Sequence, residues 1–251
     1  MTIYHTRKNS YYAIIYFSVS IKENITLVRE RIAAAAEKSG RSATDVTLLA
    51  VVKNISPELI EEALACGLTA VGENRIQEAT LHYQALAAKY PQLQWHLIGH
   101  LQRNKVRQSL DMFDIIQSVD SERLVEEIDA RSPQTNRWAG APVPVLIEVN
   151  TSGEPSKFGV EYSKAIALIR FAAKFRLSVQ GLMTMGPLTD DQALVRSSFR
   201  KLRELADQVK ELGLPSVEMR YLSMGMSSDY EIAIEEGANL VRIGRAIFKG
   251  G

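Results

Sequence analysis

Cysteine is almost absent. Cys66 is the only one in 251 residues, so the chain can form neither an internal disulfide nor a cysteine-based metal cage, and a reducing, cytoplasmic setting is expected. Charge of one sign is lacking too. Thirty Lys and Arg stand against 29 Asp and Glu, a formal charge of +1, which leaves no basic footprint for non-specific nucleic-acid binding. Long apolar runs are also missing: the most suggestive stretch, Tyr11–Val19, is too short to cross a bilayer as a helix. Proline (8) and glycine (15) are too few for a collagen-like or low-complexity chain. What remains is 46% apolar and 24% charged residues, the balance of a globular protein with a sizeable core in one large or two small domains.

The first twenty residues differ from the rest. Arg7 and Lys8 precede the short apolar run, a loose likeness to a signal peptide. No small-residue cleavage site follows, and the segment holds four tyrosines and no leucine. Residues 1–20 are therefore expected to be a disordered or peripheral extension, with residues 21–251 forming the functional domain. Phe248-Lys249-Gly250-Gly251 ends the chain, so a short closing helix is expected.

From Ile21 to Ser39 the pattern is amphipathic and stops at Gly40, which predicts a helix. Eight short apolar runs follow: Val46–Val52, Leu68–Gly72, Gln94–Gly99, Asp114–Val119, Val143–Val149, Ser178–Met185, Met219–Met224 and Asn239–Gly244. Several are continuous, as in strands buried on both faces of a parallel sheet. Helical stretches lie between them. Ser56-Pro57-Glu58 predicts an N-cap, a proline at N1 and an acid in the first turn, with Gly67 closing that helix. A longer amphipathic stretch covers Asp190–Leu212, and Pro133–Pro144 is the one long loop-like segment. Eight strand–helix units over about 230 residues predict a single (β/α)8 TIM barrel. A doubly wound open sheet is the second choice.

In such a barrel the site sits at the C-terminal ends of the strands. Polar residues gather there: Lys53, Glu73-Asn74, His96, Ser118, Asp120, Asn150, Met183-Thr184, Ser223, and Arg242 with Gly244. Lys53 follows seven mostly apolar residues, so its amine is expected to emerge from a dry strand, where it is freed to attack a carbonyl. A lysine closing a strand can equally snorkel to solvent. Ser223-Met224-Gly225-Met226-Ser227 and Ile243-Gly244-Arg245 follow the seventh and eighth strands, the habitual phosphate site of these barrels. Ser227-Ser228-Asp229 reads as the cap of the next helix. Lysine and phosphate loops together suit a ligand with an aldehyde and a phosphate, and pyridoxal 5′-phosphate has both. Arg242 lies between Val241 and Ile243, so alternation turns it inward over the ligand.

Six motifs then match a family. Ala50-Val51-Val52-Lys53, Gly72-Glu73-Asn74-Arg75-Ile76-Gln77-Glu78 and Trp95-His96-Leu97-Ile98-Gly99-His100-Leu101-Gln102 resemble those of the pyridoxal phosphate homeostasis proteins. So do Gly181-Leu182-Met183-Thr184-Met185, Leu222-Ser223-Met224-Gly225-Met226-Ser227 and Val241-Arg242-Ile243-Gly244-Arg245-Ala246-Ile247-Phe248. The resemblance implies a single barrel similar to the N-terminal domain of alanine racemase and other fold-type III enzymes. It implies a Schiff base with the cofactor on Lys53, Arg242 facing the ring nitrogen, and Ser223, Gly225, Gly244 and Arg245 on the phosphate. Asn74 and Met183 match ring-lining positions, and Lys157 matches a recurrent lysine near the site. The implied role is vitamin B6 homeostasis without established turnover, with apo-enzymes as recipients. The residues of the N-terminal extension have no counterpart in that resemblance.

The alternative is an amino-acid racemase or related enzyme. That chemistry needs a second base opposite the lysine, usually on an added domain, and nine residues follow Arg242. Tyr221 or His96 could stand in, although a strand tyrosine is more often core. The same shortness points to a monomer. His96 and His100 invite a metal reading, but their spacing in a strand-to-loop turn is not a helical pair, and ring packing is favoured. Arg103, Lys105 and Arg107 read as a solvated helix start rather than a docking patch.

Overall fold

The computed structural model describes residues 20–250. The expected extension, apart from Ser20, lies outside the described residues. Among the described residues nine α-helices and nine strands follow one another, alternating except where the strand Val160–Glu161 directly follows the strand Val143–Asn150. Helix α1 spans Ile21–Lys38. Ser20 caps it through a reciprocal pair: its hydroxyl accepts from the Glu23 amide at 3.2 Å, and the Glu23 carboxylate accepts from the Ser20 amide at 2.9 Å. Gly40, at φ +70°, carries the chain out of the helix.

The eight apolar runs all form strands. They are β1 (Thr47–Val51), β2 (Ala70–Glu73), β3 (Gln94–Leu97), β4 (Ile115–Val119), β5 (Val143–Asn150), β7 (Leu177–Met183), β8 (Val217–Ser223) and β9 (Leu240–Ile243). Each pairs in parallel with its neighbour, β4 with β5 and β5 with β7 included. β9 closes on β1 in the register Thr47 to Leu240 through Ala50 to Ile243. That closure excludes the open doubly wound sheet, because a sheet joined first strand to last has no edge.

The helices form the outer layer: α2 (Pro57–Ala65), α3 (Ile76–Leu86), α4 (Val106–Met112), α5 (Glu122–Arg131), α6 (Ala165–Ala172), α7 (Gln192–Glu211), α8 (Tyr230–Glu235) and α9 (Arg245–Phe248). Their inward stripes bury Ile60, Leu86, Leu110, Ile128 and Phe199 against the outer faces of the strands. Inside the barrel Leu49, Ala70 and Leu240 pack in one group, and Ile115, Leu146 and Met183 in another, with Tyr221 against both. The interior is a filled core whose upper end carries polar groups.

Local expectations diverge in three places. Ser56 has the extended backbone of a cap and Pro57 follows at N1, but the Ser56 hydroxyl makes no capping bond. It turns instead to Glu58 and holds that carboxylate below its ordinary value. Asp229 precedes α8, yet its side chain reaches back to the Met226 amide at 2.6 Å rather than forward into the helix. The two-residue β6 (Val160–Glu161), paired to the end of β5, was not foreseen. A two-residue bridge has no periodicity to read.

Candidate functional site

Strand alternation decides which polar side chains enter the barrel. In β9, Val241 and Ile243 face the helices, so Arg242 points inward and is 2% exposed. Its guanidinium donates to the Ser223 hydroxyl at 2.7 Å and to the Thr184 carbonyl at 2.8 Å. Ser223 donates onward to Gln117 Oε1 at 2.6 Å. The Gln117 amide nitrogen therefore donates to His96 Nδ1 at 2.8 Å, which leaves the His96 proton on Nε2. A buried polar chain thus crosses the barrel from β3 to β9 and forms the floor of the site.

Electrostatics follow from that burial. Desolvation pushes Arg242 down to about 10, opposed by the negative charges of Glu148 and Asp229. His96 is driven down to about 4, so its ring is neutral at pH 7. Glu148, inward on β5, rises to about 7 through burial and the nearby charge of Asp120, with Arg242 pulling the other way. Outside the barrel, Glu73 meets His82 of α3 at 2.5 Å. Burial raises the Glu73 carboxyl, and the hydrogen bond to Glu73 raises His82.

His96 and Glu148 have opposite consequences for stability. The unfolded chain protonates His96 near 6.5 but the folded protein only near 4, so stability falls as pH drops through that interval. Folded Glu148 binds its proton near 7 and unfolded Glu148 near 4.5, so its burial penalty is full above pH 7 and is relieved on acidification. Each effect is on the order of 3 kcal/mol at full extent, and they offset between those limits. Urea unfolding at pH 7 and pH 5 should therefore show Glu148→Gln losing stability on acidification and His96→Gln gaining it. Parallel behaviour of the two variants would contradict the assignment.

Above the floor lies a cavity of about 340 Å³ whose walls include Lys53, Asn74, Ile98, Arg242, Gly244 and Arg245. Five of the residues expected at the site are thus together. Lys53 stands in the turn after β1, with Asn54 at φ +57° behind it. It is exposed, not dry as its sequence context predicts, because the chain leaves the strand at Val52 and the cavity is open above. Its amine has no hydrogen bond or ion pair among the described residues. Asn74 Oδ1 is buried without a partner. The amides of Ser227, Ser228, Gly244 and Arg245 find no acceptor among the described residues.

Three other expected residues do not line this cavity. Ser223 is fully buried in the floor, where β8 turns its hydroxyl to Gln117 and Arg242. Met183 lies in the apolar layer with Ile115 and Leu146. Gly225, at φ +94°, lets the loop pass against α8: a Cβ there would stand 2.6 Å from the Ala233 Cβ and 2.8 Å from the Tyr230 Cα. Lys157 sits on the wall of a neighbouring cavity and donates to the Gly186 carbonyl at 2.7 Å. His100 stacks on Phe158 with ring centroids 4.4 Å apart. Arg107 pairs with Asp111 at 2.6 Å on the exposed face of α4.

Gly99 fixes Asn74 from behind. A Cβ at Gly99 would stand 2.2 Å from the Asn74 carbonyl oxygen, a backbone atom that cannot swing aside. Gly99→Ala is expected to displace Asn74 and cost about 1–3 kcal/mol in urea unfolding. An unchanged midpoint would show that the strand end yields freely.

Glu148 and Gln117 belong to the site region and escaped the sequence reading, whereas Met185 and Met226 were quoted only within motifs and given no role. The usable signal for the first two was a polar residue inside an apolar strand, the same signal that exposed Arg242.

Comparison with known proteins agrees with this geometry. The family model for the alanine racemase N-terminal domain matches residues 21–250. The pyridoxal phosphate homeostasis protein of Aquifex aeolicus is 42% identical over 227 residues, covering 90% of this chain and 96% of that one. A protein of unknown function from Bifidobacterium adolescentis superposes with a TM-score of 0.86 at 39% identity, over 91% of this chain and 94% of that one. PipY of Synechococcus elongatus, solved with pyridoxal phosphate bound, gives 0.78 at 32% identity, over 91% of this chain and all of that one (100%). An eight-stranded barrel with a lysine and phosphate-type loops at one mouth, and relatives this similar over nearly their whole length, place the chain in the pyridoxal phosphate homeostasis protein family.

Proposed function

We propose that this chain holds pyridoxal 5′-phosphate as a Schiff base on Lys53 and serves vitamin B6 homeostasis as a carrier, not a catalyst, in the cytoplasm and as a monomer. One observation carries the reading. A single cavity of about 340 Å³ has an unpaired primary amine on one wall and, on another, four residues with unused backbone amides, Arg245 among them. An aldehyde needs the first and a phosphate the second. The orphaned Asn74 Oδ1 supplies a further polar contact for a bound ring.

When bound, the cofactor supplies an aldehyde that condenses with amines and a ring that withdraws electrons. The residues here temper the second property. Arg242 is still cationic at pH 7 despite its burial, and a ring nitrogen bound against it would be held unprotonated. Tyr221 packs among Leu49, Ala70 and Leu240, and His96 is locked to Gln117. Neither stands on the cavity wall as a second base. No helix among the described residues is long and apolar enough to cross a membrane.

The decisive assay is exchange of the α-proton of L- and D-amino acids in deuterated buffer with the cofactor-loaded protein. No exchange above free cofactor is expected. Robust exchange abolished by Lys53→Ala would replace the carrier by a racemase-type enzyme.

A further inference from the structure

A second cavity of about 780 Å³ adjoins the first, and Met185, Leu188, Met226, Ser228 and Arg245 border both. Its remaining walls come from β5, the β5–β6 loop, the β7–α7 loop and the starts of α7 and α8. Phe158, Pro187, Val195 and Ile232 make much of this surface apolar. Glu148 opens into it from the barrel.

Glu148 is the unusual feature. It is only 4% exposed, yet its carboxyl makes no hydrogen bond or ion pair among the described residues. Its oxygens reach the cavity and find no protein partner there, although a largely buried carboxylate is ordinarily paired. Asp229 and Asp190 add further carboxyls to the lining. Two cations share this lining, Lys157 and Arg245, and Arg242 acts on Glu148 from the floor. Lys157 is tied to Glu154 at 2.9 Å and to the Gly186 carbonyl, while Arg245 stands at the border shared with the first cavity. Arg242 lies in the floor and donates to Ser223, Thr184 and the Met185 sulfur. An open acidic end and an apolar body describe a site for a cation with a hydrocarbon tail.

We propose that this second cavity binds an alkylammonium compound with an apolar chain, its charged head against the Glu148 carboxylate and its tail along Phe158, Val195 and Ile232. The contacts proposed for the amine use neither Lys53 nor the phosphate-loop amides, although Ser228 and Arg245 border both cavities. The border with the first cavity places the head of such an amine beside the compartment that holds Lys53.

The pairing has a pH signature. The charged groups acting on Glu148 are Asp120 after β4 and Arg242 on β9, while Asp229, Asp190, Lys157 and Arg245 share its cavity. With Glu148 near 7 in the free protein, affinity for the cation should weaken on acidification from pH 8 to pH 6, as the carboxyl becomes neutral.

The test is calorimetric and uses the full chain free of cofactor. N,N-dimethylhexylamine serves as the probe because a tertiary amine cannot condense with an aldehyde, and 1-hexanol is its uncharged control. The amine should bind at least tenfold more tightly than the alcohol at pH 8. Glu148→Gln should remove at least tenfold of the amine's affinity and leave the alcohol's unchanged. Equal affinity for the two probes, no binding of the amine, or an unaltered amine affinity in Glu148→Gln would each overturn the proposal. If Glu148→Gln does not fold, the comparison of the two probes on the unsubstituted protein still decides. Failure here would leave the Lys53 spectrum intact, and failure of that spectrum would leave this binding intact.

Discussion

Lys53→Ala is expected to abolish every covalent sign of the cofactor while sparing the fold. The unsubstituted apo-protein mixed with pyridoxal phosphate should develop a visible absorption band, and borohydride should then fix the cofactor to Lys53. Neither should occur in the variant. The argument rests on where the amine stands. Lys53 lies beyond the end of β1 in an exposed turn, with no hydrogen bond or ion pair of its own among the described residues. Its removal leaves no buried group unsatisfied, so unfolding midpoints should move by less than about 0.5 kcal/mol. Lys53→Arg sharpens the result: the guanidinium keeps the charge but cannot be deprotonated to attack a carbonyl. It should retain phosphate affinity without the band. A visible band that persists in Lys53→Ala would move the attachment to another lysine, Lys157 being the first to test.

The same position shows how far sequence reasoning reaches. The end of strand one and the lysine after it were legible because β1 is apolar, with Leu49 and Ala50 buried on opposite faces, and its apolar run stops abruptly. The exposure of Lys53 was not, because it depends on how far apart the loops above the barrel stand. Arg242 was legible because two apolar neighbours fix its side of the strand. Identical logic applies to Glu148 between Ile147 and Val149, but a lone acid in an eight-residue strand looks like an ordinary interruption until the barrel closes around it. Ser223 shows the converse limit. Its loop context suggests phosphate, yet strand parity carries to the last residue of β8 and turns the hydroxyl inward. Strand count and closure came through because each strand carries its own apolar signal. The polar chain from His96 to Arg242 joins residues as far apart as β3 and β9, and no local pattern encodes that meeting.

That chain makes Arg242→Met the largest expected loss of stability. The substitution fills much of the same volume, so the cavity term is small. The polar term is not. Ser223 Oγ and the Thr184 carbonyl lose their donor in a region closed to water, and Glu148 and Asp229 lose the positive charge that faces them. Removing one member of a buried charged network costs about 3–5 kcal/mol. The direction also depends on pH: without Arg242, Glu148 should hold its proton to higher pH, so the deficit should deepen from pH 6 to pH 8 as that carboxyl is forced to ionise. Arg242→Met combined with Glu148→Gln removes the carboxyl that lacks compensation, and it should recover part of the loss and flatten the pH dependence. Urea unfolding of the apo-protein at the two pH values measures all of this without the cofactor. A loss below about 1 kcal/mol, or a double variant as unstable as the sum of its parts, would mean that Arg242 is an isolated cation over the ligand and not the keystone of the barrel floor.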